Sequence, residues 1–369
     1  RLAQQNHILY IEPDMTTLQA WRRGQIGWQD IRRPSATRLF EGLTLYRFPA
    51  WLPTSGRGAW RTLSHAARQW HLRATLRRLG LTHPLLWLYR PGQRAWLGKL
   101  GESLVIYHVT DEYAAFEHWT AAQRARLQAD EARLLREADL VLVTAAPLLA
   151  TKGTMARRIA LVANGVDYAA FASARTQTDP PADLKPIRRP RLGYVGYISN
   201  RLDIALLVAL ARARPDWSLV LVGSVWAHGC EGEMAALQAL PNVHFLPARP
   251  GPAIPACVAA FDVGLIPYRL TEEAAHISPL KMYEYLAAGL PVVSSDIPSA
   301  REAGNLVVLA HGVAEWLQAI EGALAVQDAS SVAARQAFAQ ANDWSVRLEA
   351  ISQAVEQALA AKREAQASC

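Results

Sequence analysis

Short, almost unbroken apolar runs alternate with longer amphipathic stretches along the whole chain, and this rhythm restricts the fold more than any single residue does. The first half carries "HILYIEP", "LTLYRF", "PLLWLY", "LVIYHVTD", "LVLVTA" and "IALVAN". The second carries "RLGYVGYI", "SLVLVGS", "VHFLPA", "FDVGLIPY", "LPVVSSD" and "NLVVLA". A strand wetted on one face alternates polar and apolar residues. Strands without that alternation are buried on both faces, which calls for parallel pairing under helices on each side. The stretches between them, clearest at 60–79 and 120–137, have the length of crossover helices. The pattern predicts the α/β class, with two Rossmann-like doubly wound domains facing a cleft.

Two domains follow because 369 residues exceed what one core holds comfortably. The rhythm breaks once, at "SARTQTDPPADLKPIRRPR", which holds four prolines and little apolar content. The expected division is an N-terminal domain over 1–172, a linker over 173–190, a second domain over 191–343, and a helix with a frayed tail over 344–369. In such sheets ligands sit outside the carboxyl ends of the strands, so both domains are expected to aim their functional loops into the cleft. No apolar run approaches the ~18 residues of a membrane-spanning helix. Cys230, Cys257 and Cys369 are too few and too scattered for a disulfide framework or a metal site, which suits a reducing cytoplasm.

Charge is distributed unevenly. Residues 1–110 hold 16 Arg and Lys against 5 Asp and Glu, and the stretch 42–101 holds ten basic residues and no acid. Within it, Trp60, Leu63, Ala67 and Trp70 recur at helical spacing, flanked by Arg61, Arg68, Arg73, Arg77 and Arg78. Tryptophans so spaced are often core. The absence of any offsetting acid favours contact with an anionic membrane surface, ahead of nucleic acid, for which no module is present.

"SPLKMYEYLAAGLPVVSSD" presents a local puzzle. Ser278 suits a helix N-cap and Pro279 the first helical position, so a helix is expected over 279–288, stopped by Gly289. Lys281 then sits in the first turn, where the macrodipole disfavours a cation unless an anion is also bound there. Glu284 lies three residues on, on the same face, well placed for sugar hydroxyls. A solvated Lys281–Glu284 ion pair explains the spacing equally well. "GYVGYISNRLD" adds a glycine-bearing turn at Gly196 and a second cation, Arg201.

The second half, through these motifs and "PNVHFLPARP" and "FDVGLIPYR", resembles the nucleotide-binding domain of GT-B fold glycosyltransferases, and most of all bacterial family 4-like enzymes. "YHVTDEYAAF", "EARLLREADLVLVTAAPLL" and "VANGVD" resemble that family's acceptor domain. The resemblance implies that Glu284 binds the donor ribose, that Ser278, Arg201 and Lys281 hold its diphosphate over Gly196, and that Arg249 in the 247–249 loop touches the base. It implies an enzyme needing no metal or other cofactor; the cysteine usage and the basic helix place it in the cytoplasm, peripheral at the inner face of a membrane. His276 stands where the family often has a Glu facing the donor sugar, so no carboxylate carries over to that position. The family also has a further strand and helix before the segment matching "RLAQQNH", and these are expected to be missing from the chain as given.

On the acceptor side, Asp111 ends an apolar run and could deprotonate an acceptor hydroxyl; it could equally cap the helix that follows. It is preferred to Glu112, while His108 and His244 read as packed strand residues. "NGVD", from Asn164, reads as a turn near the cleft. The expected function is sugar transfer from a nucleotide-diphosphate donor, UDP ahead of GDP, to a carbohydrate or lipid-linked acceptor in cell-surface polysaccharide synthesis. A nucleotide-sugar epimerase and a non-catalytic nucleotide-sugar or membrane binder remain as alternatives.

Overall fold

The computed structural model describes residues 2–12, 34–49, 51–52, 59–116, 119–177, 179–325 and 328–367. Cys369 and the side chain of Arg61 lie outside the described residues. The chain forms two compact units, 1–106 with 365–369, and 107–364. The division falls inside a strand, not in the proline-rich segment. The proline-rich segment lies within the second unit, where Leu184 and Ile187 are buried in the core.

In the first unit, β1 (Ile8–Ile11), β2 (Ala36–Phe40) and β3 (Leu43–Tyr46) form a sheet of order β1-β3-β2. β1 pairs with β3 in parallel, but β2 runs antiparallel to β3. β2 was not foreseen. Its residues Thr37 to Phe40 are exposed, so no buried face left an apolar pattern to read. β4 (Leu85–Leu88) also belongs here. The helix Ala59–Arg78 turns Ser64, Arg68, Leu72, Thr75 and Leu76 inward, a spacing of three and four residues that covers one face. Leu72 and Leu76 pack with Tyr46 against Leu9, Ile11 and Phe48. Arg68 lies with its guanidinium 3.9 Å above the Phe48 ring, so it belongs to the core and not to the basic fringe. Trp60, Leu63 and Trp70 point the other way and are 58%, 63% and 69% exposed. They are not core.

The second unit begins within β5 (Leu104–Val109) and continues through β6 (Leu140–Val143) and β7 (Ile159–Leu161), the last two paired in parallel. A six-stranded sheet follows: β8 (Arg191–Val195), β9 (Ser218–Val222), β10 (Val243–Leu246), β11 (Val263–Ile266), β12 (Val292–Ser294) and β13 (Val307–Leu309). Its order is β10-β9-β8-β11-β12-β13 and every pairing is parallel. Numbered from β8, that is 3-2-1-4-5-6, the dinucleotide-fold arrangement. Every residue of β8, β9, β11 and β12 is buried, which is the physical origin of their unbroken apolar runs.

Candidate functional site

The strand order reverses between β8 and β11. The chain leaves those neighbours in opposite directions, and a crevice opens at their carboxyl ends. The loop after β8 is brought in very close. Gly196 and Gly223 adopt φ of +146° and +154°, a region closed to most side chains, and a Cβ on Gly223 would fall 1.8 Å from the Gly196 carbonyl oxygen. The two loops therefore meet backbone to backbone. A side chain at Gly196 would meet the Tyr194 hydroxyl at 3.1 Å and the Lys281 stem at 3.5 Å.

Lys281 donates from Nζ to the Tyr268 hydroxyl at 2.6 Å and lies 4.9 Å from the ring centroids of both Tyr194 and Tyr268. Burial pushes its pKa down, but the Tyr194 and Tyr268 oxygens, the bond to Tyr268 and the Glu284 carboxylate outweigh burial and raise it. It stays an ammonium. Glu284 is half-buried on a helix whose Met282, Tyr283, Tyr285 and Leu286 are fully enclosed. Burial raises its pKa, against the opposing pull of Lys281. The pair is thus no solvated ion pair on an open helix.

The helix runs Leu280–Ala287, with Pro279 as N-cap and no side chain capping it. The expected cap at Ser278 is off by one residue, for a specific reason. The Ser278 carbonyl, which would accept the first helical bond, instead accepts from Asn164 Nδ2 at 2.6 Å, and Met282 N–H turns to the Pro279 carbonyl at 3.1 Å. Ser278 Oγ, beside Tyr283, is buried with no hydrogen bond of normal geometry. The first turn therefore combines uncapped N–H groups, a buried hydroxyl that caps none of them and an ammonium, and it is suited to an anion.

Arg201 reaches the same crevice from the other side. It forms an ion pair with Glu273 and its guanidinium lies 5.4 Å from the Phe116 ring. Phe116, Arg201, Trp226, Tyr268, Glu273 and Ile277 line a cavity of about 230 Å³. Tyr268 joins the two cations, since its ring borders the cavity with Arg201 and its hydroxyl holds Lys281. His276 is half-buried with Nδ1 2.8 Å from the Glu272 carbonyl oxygen, and the carboxylate lining the cavity is Glu273. Arg249 is paired with Asp183, which turns it toward the proline-rich segment.

Asp111 is half-buried and accepts from Thr110 Oγ1 at 3.0 Å. The helical turn that follows, Tyr113–Ala115, starts from Glu112 without a side-chain cap, so Asp111 is not serving as one. Glu112 is held by Lys152 at 2.6 Å, and Lys152 also grips Glu131 at 2.8 Å. His108 is packed in its strand, where burial lowers its pKa to about 4; burial lowers that of His244 too.

Several residues of this site were not singled out from sequence: Phe116, Trp226, Tyr268 and Glu273, together with Asn164 as a partner of Ser278. Tyr268 and Glu273 follow β11, but only the strand order reveals that β11 adjoins β8. In the sequence Asn164 is only a turn residue, because its partner lies 114 positions away.

Residues 189–326, which carry this crevice apart from Phe116, match the family model described as glycosyl transferases group 1. A Bacillus subtilis (strain 168) protein bearing the name teichuronic acid biosynthesis glycosyltransferase TuaH is 29% identical over 223 residues. That alignment covers 58% of this chain and only 56% of the relative. Among solved structures, sucrose-phosphate synthase from Thermosynechococcus elongatus superposes with a TM-score of 0.69 at 18% identity, covering 98% of this chain and 91% of the other. The chain has the GT-B glycosyltransferase fold. A second GT-B likeness is to Anabaena Alr3699/HepE, solved in complex with UDP and glucose, with a TM-score of 0.63 at 17% identity and 86% of each chain covered. Among the described residues of this GT-B chain, no group of three or more His, Cys, Asp or Glu is placed to hold a metal ion. No described helix is long and apolar enough to cross a membrane.

Proposed function

We propose that this protein transfers a sugar from a nucleoside-diphosphate donor, UDP ahead of GDP, to a carbohydrate or lipid-linked acceptor in cell-surface polysaccharide synthesis. The observation that carries the reading is the uncapped start of Leu280–Ala287, with Lys281 and Ser278 at the strand-order reversal. When the bond from the anomeric carbon to the diphosphate breaks, negative charge grows on the departing oxygen, and the Lys281 ammonium with the helix N–H groups stabilises it there. Arg201 supplies a second cation by exchanging Glu273 for phosphate. Glu284 accepts from the ribose hydroxyls, Gly196 lets the diphosphate approach the backbone, and Arg249, on release from Asp183, borders the base. His276 and Glu273 face the sugar. Asp111 takes the acceptor proton, or positions the acceptor hydroxyl, as the new glycosidic bond forms. With two cations on the diphosphate, the reading calls for no metal or other cofactor.

The exposed Trp60, Leu63 and Trp70, with Arg73, Arg77 and Arg78 exposed on the same helix, support a peripheral position on an anionic membrane at its cytoplasmic face, where a lipid-linked acceptor is presented. A thermal-shift series with UDP, GDP, ADP and TDP tests the donor reading. At least one, UDP foremost, is expected to raise the melting temperature of the wild type and to lose that effect in Lys281→Ala. If no nucleotide stabilises the wild type, the donor site is refuted.

A further inference from the structure

Asn164 lies in the turn "NGVD", far from the helix Leu280–Ala287 in sequence, yet its side chain donates to the Ser278 carbonyl just before that helix at 2.6 Å. The turn itself is gripped from behind. Val166 forms an isolated parallel bridge with Asp343: its N–H donates to the Asn342 carbonyl at 3.2 Å, and Trp344 N–H donates to its carbonyl at 3.0 Å. Tyr168 N–H donates to Asp343 Oδ2 at 3.0 Å, and Arg347 Nε donates to the Asn164 carbonyl at 3.3 Å while the same guanidinium holds the Asn342 side chain. Gly165 leaves no slack, since a Cβ there would sit 3.0 to 3.1 Å from Asn342, Arg347 and Trp344. A rigidly held turn thus presents one carboxamide to one carbonyl.

We infer that Asn164 is a positioning residue for the anion-receiving turn, a role that rests on the donor reading above. By engaging the Ser278 carbonyl, the carboxamide competes with Met282 N–H for it, and the helix starts from Pro279 instead. Ser278 stays outside the helix with its hydroxyl beside Tyr283 and capping no helix N–H, and the N–H groups of Leu280 and Lys281 open the first turn. Without Asn164, the Ser278 carbonyl becomes available to Met282 N–H, the helix extends backwards by one residue, and Ser278 becomes a conventional cap that occupies those same N–H groups. The helix would survive. Its capacity for a diphosphate would not.

The test is calorimetric titration of wild type, Asn164→Ala and Asn164→Asp with UDP and with uridine; Asp keeps the size but sets a carboxylate against the carbonyl. UDP affinity is expected to fall about tenfold or more in both variants, one lost charge-neutral contact being enough for a tenfold change, while uridine affinity stays at the wild-type value. Arg347→Met, which removes only the rear support, is expected to give a smaller loss of the same kind. If UDP and uridine weaken in parallel, Asn164 has only a general structural role and the inference fails. It fails too if UDP binding is unchanged in folded variants. Wild type that binds neither ligand would instead overturn the donor reading itself, a result distinct from the other two.

Discussion

Lys152 is the side chain whose removal should be felt most. Its ammonium lies between two carboxylates, Glu112 at 2.6 Å and Glu131 at 2.8 Å, and all three side chains are at most 10% exposed. Tyr107, fully buried, donates its hydroxyl to the other Glu131 oxygen at 2.9 Å. Lys152→Met keeps the length and apolar stem but leaves two enclosed carboxylates without a counter-charge. Breaking a buried pair from one side typically costs about 3–5 kcal/mol. For a cooperative unit the size of the second one, that corresponds to roughly 6–20 °C of melting temperature. Adding Glu112→Gln and Glu131→Gln to the variant removes both orphan charges and is expected to restore most of the loss. Burial works against the ammonium, but the two carboxylates outweigh it, so the folded pKa of Lys152 is raised. A raised pKa stabilises the fold at every pH below the unfolded lysine value of about 10.4, and that contribution disappears as pH climbs through the folded value. The difference between wild type and Lys152→Met should accordingly be flat through neutral pH and shrink only in strong alkali. Scanning calorimetry across pH measures it directly. A loss below about 1 kcal/mol at pH 7, the range of a surface pair, would refute the reasoning, as would a triple variant no more stable than the single one.

Two further outcomes concern the acceptor side. Asp111→Asn is expected to leave nucleotide affinity intact and to lower transfer about 10²–10⁴-fold, the usual span for removing a general base, read in a radiolabelled transfer assay; undiminished transfer would remove Asp111 from the chemistry. Replacing Trp60 and Trp70 together by Ser is expected to release the protein from anionic vesicles in a flotation assay without lowering its melting temperature, since both rings are already in solvent. A drop in melting temperature with unchanged vesicle binding would show the stripe to be structural.

Much of the fold was legible because burial on two faces leaves a mark in one dimension. The twelve apolar runs each became a strand, and the helical stretch expected over 120–137 is the helix Ala121–Glu137, capped by Thr120. β2 left no mark because its side chains face solvent, and the order of strands left none because pairing β8 with β11 is a contact across some seventy residues. The site divides in the same way. Lys281 and Glu284 were conspicuous through a local anomaly, a cation in a helix's first turn with an acid one turn on. The cavity residues Phe116 and Glu273, by contrast, sit in ordinary-looking loops.

The one-residue error at the helix start shows where local rules stop. Capping preferences describe a helix left to satisfy its own ends, and on that basis Ser278 and Pro279 are an excellent cap and first residue. The Ser278 carbonyl is diverted by a side chain from a distant turn, so the better cap goes unused. A first turn stripped of its natural cap, beside a lysine that helix electrostatics alone would not select, is unfavourable twice over. A single bound anion relieves both penalties at once. That shared relief is why the helix start, more than the fold around it, points to a diphosphate.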